Sequence, residues 1–146
     1  IAMYELKIKL LYENSKLPEF ANLGDAGMDI FSVDRKVIKS GESELIRTGI
    51  SIELPKDTEI QIRPKSGLAL NNGITLLNSP GTIDEGYRGE IKVIVINHGK
   101  NDFLVEEGMK IAQMVLKPIY KVKITKVDSI DYETDRGKNG FGSSGV

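Results

Sequence analysis

The sequence predicts an all-β domain, an antiparallel sandwich, jelly roll or barrel, with one short helix and a flexible C-terminal arm. Two observations predict the class. Apolar residues recur with period two along several short runs, which places one face of each run on a core and the other in water. Glycine, asparagine and proline clusters separate these runs, as turns separate strands. A third observation bounds the size: 146 residues is the usual extent of one domain with its own hydrophobic core.

Taken in order, Leu6, Ile8 and Leu10 interleave with Glu5, Lys7 and Lys9. Ile50, Ile52 and Leu54 interleave with Ser51 and Glu53, and Ile60 and Ile62 with Gln61 and Arg63. Each of these runs reads as a half-buried strand. Ser66 is placed to cap a short helix through Leu68, Ala69 and Leu70, which Gly73 ends. Ile91 to Ile96 is more continuously apolar, as in a strand covered on both faces. Val122 and Ile124 alternate with Lys121 and Lys123 and read as one more half-buried strand. Turns are predicted at Asn22–Asp25, Lys39–Gly41, Asn71–Gly73, Ser79–Gly81 and Glu107–Gly108. The division is therefore a β-domain over 1–135 and a mobile arm over 136–146, the arm too glycine-rich to pack a core.

Composition excludes several functions. With no cysteine, disulfides and thiolate metal sites are impossible. One histidine, His98 in Asn97-His98-Gly99-Lys100, rules out a multi-histidine metal site and reads as an exposed loop residue. A net charge of -1 gives no footprint for nucleic acid, and no apolar run approaches the ~20 residues that span a bilayer. The start, Ile1-Ala2-Met3-Tyr4, lacks the basic and apolar regions of a signal peptide. Ile1 and Ala2 read as additions ahead of a natural Met3, and the expected location is cytoplasmic.

Five stretches can carry chemistry, and each has an ordinary reading beside it. Gly24-Asp25-Ala26-Gly27-Met28-Asp29-Ile30 offers a carboxylate to a hydrated cation, or simply a turn opening a strand. Arg63-Pro64-Lys65-Ser66-Gly67-Leu68 gathers cations, a hydroxyl and free N–H groups for an anion, or joins a strand to a helix. The segment from Asn78 to Glu90 reads as a hairpin turning at Asp84-Glu85-Gly86, with Asp84 in an Asx turn and Tyr87 packing across strands. Gly108 to Met114 is a strand in which Gln113 can donate to a phosphate oxygen. The tail, Arg136-Gly137-Lys138-Asn139-Gly140-Phe141-Gly142-Ser143-Ser144-Gly145, has the glycines, cation, hydroxyls and aromatic of a nucleotide lid, though standing alone it reads first as a disordered end.

In this order and roughly this spacing, the five stretches resemble the five motifs of the trimeric dUTPase family, from about Gly24 to Gly145. The third and fifth are the specific ones. The resemblance implies a jelly-roll β-fold of the dUTPase type and a homotrimer with active sites at subunit interfaces. It implies hydrolysis of dUTP to dUMP and pyrophosphate with Mg²⁺, a reaction that limits uracil incorporation into DNA and supplies dUMP for dTMP synthesis. By the same resemblance, Asp84 is the general base that activates a water against the α-phosphorus. Backbone from Thr82 through Ile83 to Asp84 pairs with the uracil edge, Asn78 helps complete the pocket, and Tyr87 packs under the deoxyribose and rejects a 2′-hydroxyl. Lys65, Ser66, Gly67, Lys92 and Gln113 are implied at the substrate. Arg136, Phe141, Gly142, Ser143 and Ser144 are implied in the closing arm, with Phe141 over the base. Asp29 is implied at the metal only through water, the ion being held mainly by the substrate phosphates.

Two positions depart from the family pattern. Lys65 stands where the second motif usually has arginine in P-R-S-G, and Lys110 where the fourth usually begins with arginine. Lysine keeps the charge and loses the planar fork. Rival readings are a dCTP deaminase or bifunctional relative on the same fold, a non-catalytic nucleotide-binding trimer, and a purely structural jelly roll. Retention of Asp84, Tyr87 and the complete tail argues against all three.

Overall fold

A computed structural model describes residues 3–145; the expectations for Ile1, Ala2 and Val146 lie outside the described residues. Its elements run β1 (Lys7–Leu10), β2 (Met28–Phe31), β3 (Lys36–Ile38), β4 (Ser43–Arg47), β5 (Ile50–Glu53) and β6 (Thr58–Arg63). There follow α1 (Ser66–Asn72), β7 (Ile74–Leu76), β8 (Gly81–Ile83), β9 (Lys92–Asn97), β10 (Phe103–Val105) and β11 (Lys110–Pro118). This is the all-β chain with one short helix that the alternation predicts.

Every pairing is antiparallel. The largest sheet has the order β2-β11-β6-β8, a second has β4-β9-β7, and two ribbons pair β1 with β5 and β10 with β3. Between them lies a core dominated by β-branched residues: Ile30, Ile38, Ile46, Ile60, Ile74 and Ile91 are all within 2% of full burial. β6 shows the mechanism most plainly, since Thr58, Ile60 and Ile62 turn inward while Glu59, Gln61 and Arg63 are half-buried. In β9 the inward Val93, Val95 and Asn97 are buried, and the outward Ile94 and Ile96 are half-covered rather than enclosed.

Asn97 is the buried polar tie of the second sheet. Its amide donates to the carbonyls of Ile38 and Asn101, each at 2.9 Å, and its carbonyl accepts the Gly99 N–H at 2.9 Å. One side chain thus ties together β3, β9 and the turn that leads from β9 to β10. Beside it, Gly73 closes α1 in the left-handed region at φ 68. A Cβ there would stand 2.6 Å from the Gly99 nitrogen, so only glycine fits.

Three local expectations are corrected. Ser66 does not cap α1: Lys65 occupies the N-cap position with no side-chain cap bond, and Ser66 is the first helical residue. The Asn78–Glu90 segment turns at Glu85-Gly86, but Tyr87 does not lead out into a paired strand, because β8 pairs with β6. Lastly, Val122 and Ile124 form no strand and stand 75% and 92% exposed. No strand of this chain pairs with the segment after β11, so its alternating residues stay uncovered. His98 is exposed, as expected.

Asp34 is buried, and burial pushes its carboxyl up. Bonds from the Arg47 guanidinium and main chain outweigh that and hold it below its ordinary 3.8. A depressed carboxyl stabilises the fold above its unfolded pKa, and that contribution is lost as pH falls through the folded pKa. Asp34→Asn should therefore lower stability at neutral pH and flatten its fall below about pH 4, as read by urea unfolding across pH. Asn97→Ala leaves three main-chain groups without partners and should cost about 3 kcal/mol in the same assay.

Candidate active site

β8 lies at the end of its sheet, hydrogen-bonded to β6 through the pairs Ile60↔Ile83, Gln61↔Thr82 and Ile62↔Gly81. Its outer edge is not used by a sheet neighbour, so main-chain donors and acceptors from Thr82 onward are available to a planar partner. The turn that follows is well tied. The Tyr87 N–H donates to the Asp84 carbonyl at 3.1 Å, Glu85 accepts the Asp57 N–H at 2.6 Å, and Arg88 donates to the Glu85 carbonyl at 2.7 Å. Thr82, Ile83, Asp84, Tyr87, Glu90 and Lys92 line a depression of about 210 Å³. Asp84 stands exposed on its wall. Asn78 lies beside Gly81, its Nδ2 3.6 Å from where a Cβ on Gly81 would be.

A second depression, about 370 Å³, is lined by Asp29, Lys65 and Gln113 together with Asn22, Asp25 and Gly27. Sheet register assembles it, because Gln113 on β11 sits opposite Asp29 on β2 and Arg63 on β6. The Gln113 side chain lies over Gly27, where a Cβ would come 2.1 Å from its Oε1, and donates to the Pro64 carbonyl at 3.0 Å. Asp29 is 5% exposed and pairs with the Lys65 ammonium at one carboxylate oxygen and with Lys110 at 3.1 Å through the other. Burial alone would raise its pKa; the bonds from Lys65 and Lys110 prevail and hold it below the usual range. Asp29 with the two ammonium groups carries one net positive charge, which the Asp25 carboxylate on the same rim offsets, so Lys65 and Lys110 act as local cations rather than as a net positive patch.

The structure therefore brings the sequence-predicted residues into two groups, one at the open edge of β8 with Lys92 reaching it from β9 of the second sheet, the other around Asp29 and Gln113 on β2 and β11. Ser66 and Gly67 stand exposed at the start of α1. Arg136, Phe141, Gly142, Ser143 and Ser144 are not drawn onto either depression. They are exposed, and hydrogen bonds of the arm run within it or to Thr134. Among the described residues no three His, Asp or Glu side chains gather as a cation cage. Sequence reading missed Glu90, whose carboxylate accepts the Gly49 N–H and the Tyr12 hydroxyl, each at 3.0 Å. It also missed Lys110 as a partner of Asp29. Both contacts join residues far apart in the chain, so no local pattern announces them.

The dUTPase family pattern matches residues 13–145. The deoxyuridine 5'-triphosphate nucleotidohydrolase of Clostridium tetani is 64% identical over 142 residues, which is 97% of each chain. That of Clostridioides difficile is 59% identical over 143 residues, 98% of this chain and 99% of the relative. Among solved structures, the dUTPase of Staphylococcus bacteriophage 80alpha with dUPNHPP superposes with a TM-score of 0.90 at 27% identity, covering 97% of this chain and 99% of that one. With a motif-bearing sheet, matching length and this identity, the chain belongs to the dUTPase family.

Proposed function

We propose that this chain is a dUTP diphosphatase, converting dUTP to dUMP and pyrophosphate. The observation that carries the reading is the pocket joining the open edge of β8 to Asp84 and Tyr87. The relatives' name and the dUPNHPP in the phage structure support the substrate.

In this reading the main chain from Thr82 through Ile83 to Asp84 pairs with the uracil edge, as an edge strand pairs with any matching set of donors and acceptors. Asn78 completes that wall. Cytosine would leave those groups mismatched, a larger penalty than a lost apolar contact. Tyr87 packs under the deoxyribose and Lys92 adds a cation at the rim. Asp84 takes a proton from water as the water oxygen bonds the α-phosphorus and the bond to pyrophosphate breaks. Lys65, Ser66, Gly67 and Gln113 hold phosphates, and Lys65 is held at its post by Asp29.

With Asp29 engaged by two lysines and no acidic cluster beside it, the donor set fits a Mg²⁺ that arrives on the triphosphate. Asp29 would reach it only through water. When bound, the ion would supply positive charge to the phosphates; selection and orientation fall to the chain.

The base-binding and phosphate-binding groups line separate depressions, which supports a site completed across subunits of a homotrimer. So does a strip after β11 in which Tyr120, Val122, Ile124, Val127, Ile130 and Tyr132 are all more than half exposed. Such a strip is the kind of surface that association covers. In this reading the tail from Arg136 onward closes over the β-domain, with Phe141 over the base and Arg136, Ser143 and Ser144 toward the γ-phosphate. No helix among the described residues is long and apolar enough to cross a membrane; a cytoplasmic location follows from the proposed reaction on free nucleotides. The role is to keep uracil out of DNA and to furnish dUMP for dTMP synthesis.

Purified protein with Mg²⁺ should release pyrophosphate from dUTP and far less from dTTP, dCTP or UTP; equal rates on all four would remove the specificity claim. Asp84→Asn should retain dUTP binding while kcat drops by about 10²-fold or more, measured by pyrophosphate release beside equilibrium titration. Deleting residues from Arg136 onward should leave a trimer by analytical ultracentrifugation and lower kcat by about tenfold or more, through lost closure over the phosphates. Normal turnover of that truncation would show that the arm is no lid.

A further inference from the structure

Tyr87 folds back over its own loop. Its hydroxyl donates to the main-chain carbonyl of Glu90 at 2.9 Å, and its ring lies across Gly89. A Cβ on Gly89 would stand 2.5 Å from Oη, 2.7 Å from Cζ and 3.0 Å from Cε1 of Tyr87. Gly89 is not among the residues with positive φ, so the backbone accepts a side chain there. What requires glycine is the ring above it.

The carbonyl that holds the ring is itself held. Glu90 accepts the Gly49 N–H at 3.0 Å through Oε2 and the Tyr12 hydroxyl at 3.0 Å through Oε1. Tyr12 in turn lies 5.2 Å under the Arg47 guanidinium, which pairs with the buried Asp34. On the other side, Ile91 is fully buried and its N–H donates to the Ile50 carbonyl at 2.8 Å. The short segment 89–91 is therefore anchored in the core at one end and carries the Tyr87 ring at the other.

We infer that Gly89 determines sugar specificity and that Glu90 is its positioning partner, the two fixing the Tyr87 ring at the depth that admits deoxyribose and refuses ribose. The inference rests on the reading that Tyr87 meets the sugar. Rejecting a single extra oxygen by steric exclusion needs a wall placed to within about 0.5 Å. A ring free to swing on two torsions cannot provide that. Here its tip is tethered, its inner face rests on a residue without a side chain, and only its outer side, 44% of the residue, remains open.

The test is kcat/KM for dUTP and for UTP, with Mg²⁺, on the full chain and on Gly89→Ala, Tyr87→Phe and Tyr87→Ala. Gly89→Ala pushes the ring off its seat and should lower the dUTP-to-UTP ratio by about tenfold or more. Tyr87→Phe adds no volume and cuts only the tether to Glu90; it should lower the ratio by about threefold, and it decides the matter if Gly89→Ala is inactive. Tyr87→Ala should abolish most of the discrimination. If Tyr87→Ala does so while Gly89→Ala and Tyr87→Phe keep the parental ratio, the inference is overturned and the role of Tyr87 stands. If Tyr87→Ala also keeps the parental ratio, Tyr87 does not choose the sugar and both readings fall.

Discussion

The register of β11 governs the rest of the molecule. This nine-residue strand is laddered on one side to β2 and on the other to β6, and β6 carries β8 on its far edge. Through that single run of pairings Asp29, Gln113, Arg63 and the main chain of Thr82 and Ile83 are placed across one sheet. A slip of one residue would turn Gln113 toward the core and Met114, fully buried, toward water. The apolar cost of that exchange is what fixes the polar site.

A register shift between Lys110 and Ala112 adds a second control. In an unbroken strand, residues three apart point to opposite faces. Lys110 and Gln113 are three apart, yet Lys110 bonds the carboxylate that Gln113 sits opposite. An extra residue in the strand reverses the parity, and the neighbouring Ile111 and Ala112 are both buried in consequence. Two lysines can then converge on Asp29. Point charges on flexible stems need such an anchor more than forked guanidinium groups do, because they carry no preferred direction of their own.

Much of this was legible in the residues. Period-two alternation located β1, β5 and β6 because a strand with one face on a core must alternate. Gly73, Gly108 and the Ser79-Pro80-Gly81 cluster marked real chain reversals. The order of the five stretches located both halves of the site. Pairing was not legible. That β8 lies against β6 rather than against the chain that follows it is set by long-range packing, not by the local turn signal. The bonds Tyr12 to Glu90 and Gly49 to Glu90 close over 78 and 41 residues, a separation at which sequence pattern is silent. Val122 and Ile124 erred in an instructive way: period-two alternation marks a chain that could line a sheet face, but it does not say whether a neighbouring strand is there to pair with it.

The exposed strip from Tyr120 to Tyr132 has a consequence for how much of this protein is folded at a given concentration. Apolar side chains left open on one chain gain their stabilisation only when something covers them, and that gain scales with the logarithm of the covering partner's abundance. Dilution should therefore loosen this segment before it loosens the core, whose isoleucines are already packed by their own chain. In the proposed trimer, the cell's expression level becomes part of the energetics of residues 120–132.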